Sequence, residues 1–100
     1  MPNARASVII PTPARYMARL CNHFAHRVSI HRGPESARIE FSHGLVILQT
    51  TNDRLEIRLE ASDAATLERL QEVVGRHLKQ VASAETFEIS WDREATTGSG

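Results

Sequence analysis

Apolar and polar positions alternate from Ala4 to Ile10, with Val8 and Ile10 on one side and Arg5, Ser7 and Ile9 on the other, until Pro11-Thr12-Pro13 interrupts them. Period-two alternation ending at prolines predicts a strand and a stop. The period then changes, because Met17, Leu20, Cys21 and Phe24 recur at i, i+3, i+4 and i+7. That spacing predicts an amphipathic helix, with Thr12 as N-cap and Pro13 at the first helical position, where a missing N–H costs little. Alternation returns in Val28 and Ile30. After the turn at Gly33-Pro34 it continues in Ala37, Ile39 and Phe41, which are separated by Arg38 and Glu40. His43-Gly44 predicts another turn. Leu45 to Thr50 reads as a fourth strand, apolar on both faces near its middle, and Leu55, Ile57 and Leu59 alternate with Glu56, Arg58 and Glu60 in a fifth. Ser62 or Asp63 can cap a second helix whose buried stripe is Leu67, Leu70, Val74, Leu78 and Val81. Phe87, Ile89 and Trp91 alternate in a last predicted strand.

The resulting order, β-α-β-β-β-β-α-β, predicts an α+β two-layer sandwich in which an antiparallel sheet carries both helices on one face. Residues 1–93 are expected to form one domain, and the small polar residues 94–100 a disordered tail. One face of the sheet then stays open, and whichever way the fourth strand is registered, Leu45 and Ile47 or Val46 and Leu48 point to it. An apolar patch there suggests a homodimer or a partner domain, or else a central strand screened by the stems of the neighbouring Arg38, Glu40, Glu56 and Arg58.

Composition narrows the classes. The 100 residues are 41% hydrophobic and 24% charged, with twelve basic and twelve acidic side chains. A chain of zero net charge lacks the global basic field that nucleic-acid binding needs. Leu45-Val46-Ile47-Leu48 falls far short of the roughly 20 apolar residues of a membrane span. The N-terminal residues show no secretory h-region, so a cytoplasmic location is expected. Cys21 is the only cysteine, which excludes an internal disulfide.

The stretch Arg15-Tyr16-Met17-Ala18-Arg19-Leu20-Cys21-Asn22-His23-Phe24-Ala25-His26-Arg27-Val28 resembles the signature Arg-Tyr-x-x-x-Leu-Cys-x-His-Phe-x-His-Lys of a small bacterial family, domain of unknown function 2218. Val73-Val74-Gly75-Arg76-His77-Leu78 and Ile89-Ser90-Trp91 are also similar, and Arg27 stands where the family more often has lysine. The resemblance implies an occurrence alone or beside siderophore-interacting flavoproteins. It therefore implies a role in siderophore-linked iron acquisition, with such a flavoprotein or a ferric siderophore as partner. Some relatives carry an aldolase label, and the residues argue against it. A chain of this length cannot build a large barrel, and its one lysine, Lys79, lies off the second helix's apolar stripe.

Candidate chemistry is sparse. Cys21, His23 and His26 suggest a metal-ligand group, but about 100° per residue puts Cys21 on the buried stripe and His26 on the opposite side. His23 and His26 could share a ligand if His31 or His43 joined them, which leaves a small metal-binding or enzymatic domain as the alternative reading. His77 is expected at the edge of the core with one ring nitrogen hydrogen-bonded, as a structural or pH-sensitive residue. The residues supply no catalytic constellation, metal set or cofactor motif.

Charge distribution carries more. Residues 1–50 hold six arginines against two glutamates, and residues 51–100 hold six basic against ten acidic side chains. On the first helix Arg15, Arg19, Asn22 and His26 recur at i, i+4, i+7 and i+11, a basic stripe facing away from the core, with His23 beside it. Such a stripe is either a solvated face or a surface for an anion or acidic partner. The expectation is a binding module rather than an enzyme.

Overall fold

The computed structural model describes residues 2–94. Its elements follow the predicted order: β1 (Asn3–Ile9), α1 (Pro13–Phe24), β2 (Ser29–Arg32), β3 (Ser36–Phe41), β4 (Gly44–Thr50), β5 (Arg54–Ala61), α2 (Ala64–Val81) and β6 (Asp92–Glu94). The strands form one antiparallel sheet in the order β2-β3-β4-β5-β1-β6. β2 to β5 run as a meander, and β1, first in the chain, closes against β5. No helix is long and apolar enough to cross a membrane among the described residues.

Register explains where the core lies. Ile39 faces Val46, Val46 faces Leu59 and Leu59 faces Ala4, so these four buried side chains cross four strands in one row. Ala37, Leu48, Ile57 and Ala6 make the next row. Side chains alternate along a strand, so both rows point to the same face. That face receives Met17, Leu20, Cys21 and Phe24 from α1 and Leu67, Leu70, Val74 and Leu78 from α2, all buried. Each fully buried Leu, Ile or Val contributes about 1.5–3 kcal/mol relative to exposure. Gly44 lets α2 approach the start of β4, since a Cβ there would overlap Leu70 Cδ1.

Asp63 caps α2 by accepting the Thr66 N–H at 2.7 Å, and this bond holds its carboxyl below the ordinary carboxylate value. Thr12 precedes α1 as expected but does not cap it with its side chain. Its backbone is left-handed (φ 48°, ψ 57°), outside the extended geometry from which an N-cap oxygen reaches the N2 or N3 amide. Its carbonyl accepts Arg15 N–H instead. Two further expectations are corrected. The Phe87–Trp91 segment is not a strand, because only Asp92–Glu94 reach a partner, the outer edge of β1. Phe87, Ile89 and Trp91 nevertheless pack on the core as half-buried side chains. α1 ends at Phe24, with Ala25 as C-cap, so His26 lies in a turn and not on the helix. Of the expected tail, Glu94 pairs with Asn3 in β6, and residues 95–100 lie outside the described residues.

Candidate functional site

α1 carries most of the residues singled out by sequence, and the fold disperses them. Arg15 is exposed at the start of the helix, beside a shallow groove of about 870 Å³ that Pro13, Glu35, Thr50 and Asn52 also line. Arg19, also exposed, turns toward α2: Nη1 donates to the Val81 carbonyl at 3.3 Å, and the guanidinium lies 5.5 Å from the Tyr16 ring centroid. Tyr16, which the periodicity argument passed over, is buried under this contact at 4% exposure. Its hydroxyl donates to Glu85 Oε2 at 2.8 Å, and that bond to an anion raises the phenol above its ordinary value. Arg19 thus belongs to the seam between the helices. Asn22 is exposed, and its carbonyl accepts the Ala25 N–H. His26, in the turn, borders a separate depression with Arg27, Ser29 and Glu40. The stripe predicted from Arg15 to His26 is therefore broken in its middle and at its end.

Two of the histidines, His23 and His77, pack together with Phe24. His77 donates Nδ1–H to the Val73 carbonyl at 2.6 Å, one turn back along α2. Its ring lies 4.4 Å from that of His23 and 5.0 Å from that of Phe24, which in turn meets Phe41 edge-on at 5.4 Å. The hydrogen bond to Val73 commits one His77 nitrogen to the backbone. Cys21 is buried, and desolvation pushes its thiol up, away from the thiolate that ligates metals or attacks carbon. Among the described residues, no three His, Cys, Asp or Glu side chains converge in a way that could hold a metal ion.

The open face of the sheet is organised differently. Register places His31, Arg38, Ile47, Arg58, Arg5 and Asp92 in one row across all six strands. Ser29, Glu40, Leu45, Glu60 and Asn3 form the adjacent row. One row is cationic around Ile47, and its neighbour is anionic around Leu45. Within a copy the rows are tied by Arg38 Nε to Glu40 Oε2 and Arg58 Nε to Glu60 Oε2, both 3.6 Å, and by His31 Nε2 to Glu40 Oε2 at 3.7 Å. Leu45 and Ile47 are half-buried by these charged stems. Beyond the cationic row, a hollow of about 290 Å³ is lined by Arg5, Ile47, Gln49, Glu56 and Arg58. Ile9 stands on the same face at 62% exposure. Of this surface, the apolar fourth strand was legible in the sequence. The screening stems of Arg38, Glu40 and Arg58 were legible too, but their sorting into one cationic and one anionic row appears only when the strands are set in register.

Comparison with known proteins follows this geometry. A family model described as an uncharacterized protein conserved in bacteria (DUF2218) matches residues 5–92, and the chain belongs to that family. Among solved structures, the NMR structure of PA4090 from Pseudomonas aeruginosa is similar, with 32% sequence identity and a TM-score of 0.78. The match covers 92% of this chain and 96% of that one. Comparison with curated proteins gave no match.

Proposed function

We propose that this member of the DUF2218 family is a small interaction module of siderophore-linked iron handling, and that the open face of its sheet docks a protein partner. The observation that carries the reading is the pair of half-buried aliphatic side chains, Leu45 and Ile47, set between charged rows on a face that neither helix covers. Apolar centres with polar, charged margins are how protein interfaces are built. The groups that would do chemistry are engaged elsewhere: His77 bonds to its own helix, Cys21 is desolvated, and Tyr16 is held by Glu85. The setting in iron handling rests on the family resemblance, with a siderophore-interacting flavoprotein as the partner class. A ferric siderophore, taken by the exposed residues Arg15, Asn22 and His26, is the competing occupant.

Amide-resolved NMR titrations test this. The labelled protein is titrated with a siderophore-interacting flavoprotein and with gallium-loaded siderophores. Shifts along β3, β4 and β5 with the flavoprotein are expected. Shifts confined to Arg15, Asn22 and His26 with the gallium complexes would move the site to α1, and silence in every titration would remove the iron-handling partners.

A further inference from the structure

We infer that the open face binds a second copy of this chain, across a two-fold axis that lies in the interface plane and runs between the row of Arg38, Ile47 and Arg58 and the row of Glu40, Leu45 and Glu60. This rests on the reading of the open face as the docking surface and places there, in the protein on its own, a second copy that the flavoprotein would displace. The sheet's own symmetry selects the axis. A two-fold parallel to the strands would lay each row on itself, arginine against arginine, and juxtaposed like charges cost several kcal/mol. A two-fold perpendicular to the strands and between the rows exchanges them. Because Arg38 and Glu40 are two residues apart on β3, and Arg58 and Glu60 two apart on β5, the exchange puts each arginine over the corresponding glutamate of the second copy. Ile47 and Leu45, two apart on the intervening β4, exchange in the same way. The apolar centre and both flanking charge pairs are matched by one operation, as an isologous interface requires.

The area is that of a weak, concentration-dependent dimer. The axis crosses β4 at Val46 and β5 at Leu59, two residues from the strand ends, so at most about five residues of each strand overlap, and six strands about 4.8 Å apart give about 400 Å² in projection. Side-chain relief adds to this, which stays below the roughly 800 Å² per partner of a standard interface. Two twisted sheets stacking face to face about 10 Å apart leave room for one layer of interdigitated side chains from each. The intramolecular pairs Arg38–Glu40 and Arg58–Glu60 are not lost on docking, since a guanidinium can bridge its own carboxylate and that of the second copy.

Sedimentation equilibrium on the full chain, from about 10 μM to about 1 mM, tests the inference. Wild type is expected to rise from 11.2 kDa toward twice that mass. An acidic variant (Arg38→Glu with Arg58→Glu) and a basic one (Glu40→Arg with Glu60→Arg) place like charges over like and should each weaken self-association by at least about a hundredfold. The four-fold swap combining them restores complementarity at unchanged net charge and should dimerise within about tenfold of wild type. Circular dichroism checks folding, and if a double variant fails to fold, Ile47→Lys, at a half-exposed position, gives the same reading. A wild type that stays at 11.2 kDa throughout overturns the second copy and leaves the docking of another protein to the flavoprotein titration. A dimer that survives every variant lies on another surface and overturns the second copy on the open face.

Discussion

Two glycines should respond to the same substitution with opposite signs. Gly44 begins β4 under α2, and no glycine among the described residues has a positive φ, so what Gly44 provides is space and not backbone freedom. A methyl group there would overlap Leu70 Cδ1 and come within 3.0 Å of the Glu60 carbonyl oxygen. Leu70 Cδ1 is a side-chain end within the packed core and the Glu60 carbonyl is fixed in the β5 backbone, so relief combines a repacked Leu70 with a small shift of the β4–β5 pair. Overpacking of this kind costs about 1–3 kcal/mol. Gly75 sits inside α2, where an added methyl would meet only Ile89 Cδ1, at 3.7 Å, an ordinary contact. Alanine is a better helix former than glycine by about 0.8–1.0 kcal/mol, so Gly75→Ala should stabilise by roughly that amount. For a domain of this size 1 kcal/mol moves Tm by about 4–8 °C. Calorimetry and urea titration of both variants should therefore show one transition falling and the other rising. A Gly44→Ala variant as stable as wild type would refute the close approach of α2 to β4, and a destabilised Gly75→Ala would refute the room left between α2 and the Phe87–Trp91 segment.

Four further outcomes follow from the helix seam, the α2 cap and the exposed start of α1. Tyr16 has its phenol raised by Glu85, so its contribution is complete below pH 10 and is lost as pH rises through the higher folded value. The urea midpoint should fall over that window in wild type and less in Tyr16→Phe. Asp63 has its carboxyl lowered by the Thr66 amide, so its contribution is present above pH 3.8 and disappears as pH falls through the folded value. Asp63→Asn should flatten that acid limb, seen by thermal melts between pH 5 and pH 2. Arg15→Glu at an exposed site should leave stability within about 0.5 kcal/mol. Arg19→Glu, which removes the contacts to Val81 and Tyr16, should lower the urea midpoint measurably.

Periodicity read the strands and helices well because each buries one face, and burial imposes its period on the sequence. Its failures have physical reasons. The alternation of Phe87, Ile89 and Trp91 is a genuine burial pattern, half-buried at every second residue, yet it says nothing about hydrogen-bond partners, and none is reached before Asp92. The basic stripe follows the helix axis past Phe24, where neither glycine nor proline marks a stop, whereas the helix ends there and His26 falls in the turn that follows. Arg19 does lie on the outward arc of α1, but its long stem reaches sideways to α2, a contact invisible to a one-helix projection. The doubly apolar β4 was legible because it violates the one-face rule. The flanking stems of Arg38, Glu40 and Arg58 follow from the neighbouring strands' alternation, but the addition of Arg5 and the sorting into a cationic and an anionic row come only from antiparallel register.

The central claim, that the open sheet face pairs with a second copy of the chain, is tested most directly by a dilution series of amide-resolved NMR spectra of the wild-type chain. The account predicts concentration-dependent shifts at Arg38, Glu40, Leu45, Ile47, Arg58 and Glu60, with α1 silent and rotational tumbling slowing as concentration rises. Spectra and tumbling that do not change with concentration, or shifts that map to Arg15, Asn22 and His26 instead, would contradict it.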